Sequence, residues 1–285
     1  MTLRGSGLPL SGPGRALIVL DDPRFHPLPN PGAGYHTSRV RDWHALLNAV
    51  RRAPPSTVVL VAPFQERSGT VDPQLYDLLI AAPLLPVVAA ADLGESARAS
   101  LRQIVAWGIS EVLDIRLESR PEALERRLRV THGRPLKRRI ESGLSRFVSA
   151  NALTLVRAAV EVACDGGLSS DLASVFGVNE RTVGDWCTRA GVPPPRRLLA
   201  WARVLLGTAL LEETRRSWVN VARCSGYVEA NSLRRAIRTL VPEAMSDASG
   251  HRPEFTRAMS GFEADLRRHR ERVRKAPGPR DSVRR

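Results

Sequence analysis

Between residues 15 and 133 the chain alternates short, unbroken apolar runs with stretches whose apolar residues recur every three to four positions. The runs Ala16 to Leu20, Thr57 to Ala62, Pro86 to Ala90 and Val112 to Ile115 are short and rich in β-branched residues or alanine, and they are predicted as buried strands. Val40 to Arg52, Pro73 to Ala82, Glu95 to Trp107 and Pro121 to Thr131 are predicted as helices; in the first, Trp43, Leu46, Leu47 and Val50 share one face. The segment after the first strand, rich in Pro, Gly and His, reads as a loop through about Ser38. Strands alternating with short helices imply an α/β unit whose parallel sheet is covered on both faces.

The second half has helical spacing throughout. RPLKRR, Arg134 to Arg139, marks the junction, and Ile140 to Cys164, with Leu144, Phe147, Val148, Leu153, Leu155, Val156, Ala159 and Val162, reads as one helix. The stretch LSSDLASVFGVNERTVGDWCTRAG then places apolar side chains at Leu172, Phe176, Val178, Val183 and Trp186, with small Ala173 in a first helix and Gly177 at a turn. Two closely crossing helices need that pattern. Asn179 is placed to cap the second helix, and Arg181, Thr182, Asp185 and Arg189 lie on its exposed face. VNVARCSGYVEANSLRRAIRTL repeats the logic with Val221, Ala222, Gly226, Tyr227, Leu233 and Ile237 and a turn one residue longer; its exposed face carries Asn231, Ser232, Arg234, Arg235 and Arg238. PRRLLAWARVLLGTALLEET between them is predicted as a connecting helix with one buried face, and a weak helix is expected from about Glu254 to Lys275.

These patterns divide the chain into a disordered start (1–14), an α/β domain (15–133), an all-α domain (134–250) and a basic helical tail with a disordered tip (251–285). A length of 285 residues suffices for two cores. The net charge of +14 sharpens the division. Residues 1–133 hold 15 basic and 13 acidic residues, a balance of +2, whereas the remainder holds 28 and 16, a balance of +12. A basic half is what phosphate neutralisation requires. Lys137 and Lys275 are the only lysines, however, so an arginine-biased composition accounts for the charge equally well, and charge alone does not decide.

The two turn motifs do. Two helix-turn-helix motifs joined by a long helix resemble the DNA-binding domain of the AraC/XylS family of bacterial transcription regulators, with both Ala-to-Gly spacings, the linker and the Gly226-Tyr227 turn in order. The resemblance implies double-stranded DNA as partner, read by Asn179, Arg181, Thr182, Asp185, Arg189, Asn231, Ser232, Arg234, Arg235 and Arg238. It implies RNA polymerase as a further partner if the protein is an activator. A homodimer through the N-terminal half is compatible with this reading. Three positions depart from the family pattern: Val228 stands where Ser or Asp usually caps the second recognition helix, Asp185 where a basic residue is common, and only Pro242 remains of the closing Gly-x-Thr-Pro segment.

The α/β half resembles a receiver domain, with Asp21 and Asp22 as its acidic pair. Yet Ala62, Pro63 and Phe64 stand where a phosphoryl-accepting Asp belongs, PVVAAAD offers no switch hydroxyl, and EVLDIR offers no lysine. A receiver-like sheet without the phosphorylation chemistry is the expectation. The alternative for Asp21 and Asp22 is a Mg²⁺ or nucleotide site at the carboxyl ends of parallel strands, ranked lower because no glycine-rich loop follows. That alternative corresponds to a different function, a small-molecule or nucleotide-binding α/β protein or enzyme with an incidental basic helical domain. No nucleophile, base and orienter occur together, so no catalysis and no cofactor are expected. His26, His36 and His44 lack metal-ligand spacing, and Cys164, Cys187 and Cys224 read as buried thiols. The apolar run Leu78 to Ala91 is broken by Pro83 and Pro86, so no membrane span is expected; MTLRGSGLPLSGPGR lacks the apolar core of a secretory signal, so the cytoplasm is the expected compartment.

Overall fold

The computed structural model describes residues 15–23, 35–51, 53–54, 56–65, 69–92, 98–118, 120–131, 133–144, 148–212, 216–242 and 253–275. Five strands, β1 (Arg15–Leu20), β2 (Tyr35–Val40), β3 (Val58–Val61), β4 (Val87–Ala91) and β5 (Glu111–Asp114), form one parallel sheet in the order β2-β1-β3-β4-β5. Alternation along β1 sends Ile18 and Leu20 to one core and Leu17 and Val19 to the other. The first core is closed by α1 (Trp43–Val50), α2 (Pro73–Ala81) and α3 (Arg98–Ala106), and the second by α4 (Pro121–Thr131) through Leu124 and Leu128. Strands β3 and β4 are buried along their whole length, which is why they read as unbroken apolar runs.

Strand β2 corrects the expected loop. It is an edge strand whose His36, Thr37 and Arg39 are exposed, with Tyr35 alone buried, so its composition carries no apolar signal. Pairing with β1 from Arg15↔Tyr35 to Leu20↔Val40 makes it a strand, and a polar, charged edge suits a position with no further neighbour. The expected disordered ends, 1–14 and 276–285, and the predicted helix start at Glu95 lie outside the described residues.

Beyond β5 the regular elements among the described residues are all helices. The helix expected over Ile140 to Cys164 is two: α5 (Arg134–Gly143) and α6 (Ala150–Cys164). Leu144 is extended at the end of α5, and α6 starts afresh where the Ser149 hydroxyl accepts a hydrogen bond from the Ala152 N–H at 3.2 Å. Phe147 lies outside the described residues.

There follow α7 (Ser169–Val175), α8 (Glu180–Ala190), α9 (Pro195–Glu212), α10 (Trp218–Cys224), α11 (Ala230–Leu240) and α12 (Phe255–Lys275). Helix α9 does not have one buried face; it is buried almost all round, from Leu198 to Leu211, because α6, α7, α8, α10, α11 and α12 all pack against it. Fully buried Leu205, Leu206 and Leu210 each contribute about 1.5–3 kcal/mol of burial free energy, so α9 is the axis of this half. The expected weak helix at the end is 21 residues long and docked, with Phe255, Ala258, Met259, Phe262 and Leu266 in the same core.

Several contacts join the two halves. Arg15 pairs with Asp165 at 3.0 Å, Arg134 with Glu111 at 2.5 Å, and the buried Arg216 donates to the Ala53 carbonyl at 3.0 Å. Leu84, between α2 and β4, belongs to the helical core, and beside it a cleft of 660 Å³ opens between α1 and α2 on one wall and α5 and α9 on the other. No helix among the described residues is long and apolar enough to cross a membrane.

Candidate nucleic-acid interface

The α7–α8 and α10–α11 pairs are built on one backbone device. At the end of α7 the Val178 N–H reaches back to the Ala173 carbonyl at 3.2 Å, and at the end of α10 the Tyr227 N–H reaches the Ala222 carbonyl at 2.9 Å. Both closures pass through a residue in the left-handed region, Gly177 at φ 64° and Gly226 at φ 76°, where a side chain would cost about 1–2 kcal/mol. The Ala-to-Gly spacing in the sequence is therefore the signature of a helix stop. Val183 and Cys187 fill the core under the first pair and Leu233 and Ile237 under the second, one residue later relative to the glycine, as the longer turn requires.

The second helices start differently. The Asn179 side chain accepts from the Thr182 N–H at 2.8 Å and also from the Thr182 hydroxyl at 2.9 Å, so Thr182 is engaged in the cap rather than free on the exposed face. In the second pair the capping position is Glu229, which makes no side-chain cap bond, and not Val228. Val228 is 86% exposed and lies one residue too early; the longer turn moved the cap.

Side chains expected to read DNA fall into two groups. Arg181, Asp185 and Arg189 on α8, and Arg235 and Arg238 on α11, are exposed and make no ion pair among the described residues. Ser232 is exposed as well. Arg234 is not on the open face: its guanidinium lies over the Trp218 ring, 4.7 Å from the centroid, and donates to the Asn231 Oδ1 at 3.0 Å. That stacking holds its direction and occupies one acceptor of Asn231. Trp218 lies one residue before the motif read from the sequence, which starts at Val219, and nothing in the spacing ties it to Arg234.

Arg203 on α9 links the two pairs. It donates to the Gly167 carbonyl, just before α7, at 2.6 Å, and its guanidinium lies 5.8 Å from the Tyr227 ring centroid. A Cβ at Gly207, one helical turn on, would meet the Leu233 side chain at 2.9 Å, so α9 and α11 approach as closely as glycine permits. Farther out, Asp265 on α12 is buried and accepts from Arg197 at 2.6 Å and from the Trp201 indole at 2.7 Å. Burial pushes its carboxyl up, but the hydrogen bonds from Arg197 and Trp201 and the Arg197 charge outweigh this and leave it below the ordinary carboxylate value.

The sheet half carries less chemistry. Asp21 faces Arg39 at 3.4 Å, Asp92 faces Arg116 at 2.5 Å, and Ala62 and Pro63 are buried where β3 ends. No group of three or more His, Cys, Asp or Glu side chains among the described residues could hold a metal ion. Burial pushes the Cys164 and Cys187 thiols up to about 12, which keeps them protonated; Cys224 is half-buried rather than buried.

Comparison with family models, curated proteins and solved structures finds no match to this chain.

Proposed function

We propose that this chain is a sequence-specific, double-stranded-DNA-binding transcription regulator of the AraC/XylS type, acting in the cytoplasm and not controlled by phosphorylation. In this reading α7–α8 and α10–α11 are two helix-turn-helix motifs of an all-α DNA-binding domain, and the sheet is a receiver-like domain without a phosphoacceptor. One observation carries it: the same glycine-closed turn occurs twice around one buried helix, and each turn delivers a helix whose exposed arginines have no carboxylate partner among the described residues. Unpaired guanidiniums can make bidentate contacts to guanine edges or pair with phosphate. An 18-residue α9 is about 27 Å long, a scale compatible with two heads set roughly one DNA turn, 34 Å, apart on one asymmetric site.

The test is selection of bound duplexes from a random pool by the full-length protein, followed by titration at several salt concentrations. The expected result is one enriched asymmetric sequence, bound at least 10³-fold more tightly than random DNA at about physiological salt. Equal affinity for selected and random duplexes would exclude a sequence-specific regulator. Incubation with acetyl phosphate should leave both intact mass and DNA affinity unchanged. The competing reading, a small-molecule or nucleotide-binding α/β protein, has the interdomain cleft in its favour; saturable nucleotide binding without any DNA binding would favour it.

A further inference from the structure

The last nine residues of α12, Arg267 to Lys275, hold five arginines, one lysine, one histidine and one glutamate, the densest basic stretch of the described chain. As sequence this reads as a nonspecific phosphate-binding arm or, somewhat more readily, as a plain solvated helix. The docking of α12 changes that reading, because the segment is aimed. Asp265 locks the middle of the helix to Arg197 and Trp201 of α9, and Phe262 packs on the Trp201 ring at 5.5 Å. One turn later α12 passes the end of α8 so closely that a Cβ on Gly191 would lie 3.1 Å from the Arg270 backbone. Gly191 follows Arg189, the last cation of the exposed α8 stripe, by two residues.

Past this crossing α12 continues for five residues, about 7–8 Å, all exposed. Arg267 and Arg268 are taken up by Glu263 and Asp265, but Arg272, Arg274 and Lys275 make no ion pair among the described residues; Glu271 is the one acid beside them. Resting on the DNA-binding reading above, we infer that the end of α12 is a third DNA contact, an arm that grips backbone phosphates flanking the part of the site read by α8. It contributes affinity without sequence information, as phosphate contacts do. The competing account is local: cations in a last turn also favour the helix dipole.

The two accounts part in one experiment on the full-length chain. The Arg272→Ala, Arg274→Ala, Lys275→Ala triple variant is compared with wild type, and with a variant carrying lysine at 272 and 274, on selected and random duplexes across a salt series. The arm predicts that the triple variant loses affinity equally on both duplexes, that its salt slope flattens by about two to three units, and that the lysine variant restores it. The loss should vanish on a duplex trimmed on the α8 side of the site. An unchanged slope with a lower melting temperature overturns the arm and assigns these cations to the helix end. If wild type itself binds no duplex, the regulator reading falls and the arm with it; wild-type binding with an unchanged triple variant removes the arm alone.

Discussion

Around Gly177 and Gly226 the chain makes the same turn, closed by the same backbone hydrogen bond to an alanine carbonyl five residues back, yet the helices that follow begin on different terms. In the first pair Asn179 satisfies the end of α8 and Thr182 is drawn into the cap; in the second, Glu229 leaves the end of α11 without a side-chain acceptor. The charge differs too. Helix α8 balances Arg181 and Arg189 against Glu180 and Asp185, whereas α11 has Arg234, Arg235 and Arg238 with no acid inside it. A helix can be positioned by its own cap or by what packs on it, and α11 relies on the second: Leu233 against Gly207, and Trp218 under Arg234. The first pair is thus secured locally and the second through its neighbours.

The largest effect that would break this contrast lies in the core. Leu233→Ala removes a fully buried side chain at the closest α9–α11 approach and should cost about 2–5 kcal/mol, whereas Val183→Ala beneath α8 deletes a smaller side chain and should cost less. Denaturant melts of the two variants, with hydrogen exchange mapped by segment, check it. Exchange in α11 should quicken far more than in α8 for the first variant. Equal losses would mean that α11 is held by its own ends after all.

Next come the arginines. Replacement of Arg235 by Ala should weaken DNA binding by about 1–3 kcal/mol and relax preference at one base pair if it reads a base, or weaken all sequences alike if it holds a phosphate. Asp185→Ala should do the opposite in the first pair, raising affinity for random DNA while blurring the site, since it removes a carboxylate that phosphates repel. Trp218→Ala should behave as a partial Arg234→Ala, because the guanidinium loses the ring that directs it. Titrations against selected and random duplexes separate these outcomes; identical behaviour of Asp185→Ala and Arg235→Ala would mean that the charge difference between α8 and α11 has no consequence for binding.

How much of this was legible beforehand follows the physics of each element. Buried strands and the α7 and α10 stops announce themselves, because burial on both faces demands unbroken apolar runs and a left-handed stop demands glycine. Strand β2 does not, since Tyr35 alone among its residues is buried and its identity comes from pairing with β1. The full burial of α9 was likewise hidden: its sequence is amphipathic enough to suggest one face, and the other faces are covered by helices distant in the chain, α12 among them. Of the candidate residues, those on exposed stripes were readable from spacing, whereas the stacking of Arg234, the diversion of Thr182 and the shift of the second cap to Glu229 depend on turn length and on Trp218.

That shift gives a smaller and sharper test of the two starts. Asn179→Ala should destabilise by about 1 kcal/mol, and Glu229→Asn should stabilise by roughly 0.5–1 kcal/mol, because it supplies the acceptor that α11 lacks. Val228→Ser, one residue before the cap, should change little. Thermal melts of the three variants decide it, and a gain from Val228→Ser larger than that from Glu229→Asn would place the helix start a residue earlier.

The smallest expected effect is in pH, and it separates the pairs by their link to α12. Asp265 has its carboxyl held below the ordinary value, so its contribution is complete above about pH 4, the unfolded value, and is lost as pH falls through its folded value. His269, one turn on, is pushed below its ordinary value by burial, with the charges of Arg272, Arg197 and Arg268 adding to this and Asp265 opposing it. The unfolded chain therefore takes up that proton first, and stability begins to fall below about pH 6.5. Both groups weaken the docking of α12 in the same direction as the solution is acidified. Their partners Arg197 and Trp201 lie in the first half of α9, and Arg270 crosses the end of α8, so acid should loosen the first pair while leaving Leu233 and Gly207 in place. The effect is modest, because a protonated Asp265 still accepts from the Trp201 indole. Hydrogen exchange between pH 7 and pH 4, corrected for intrinsic rates, should show protection falling in α12 and the end of α8 before α11, and Asp265→Asn should carry that order to neutral pH. Protection lost first in α11 would mean that α12 supports the second pair instead.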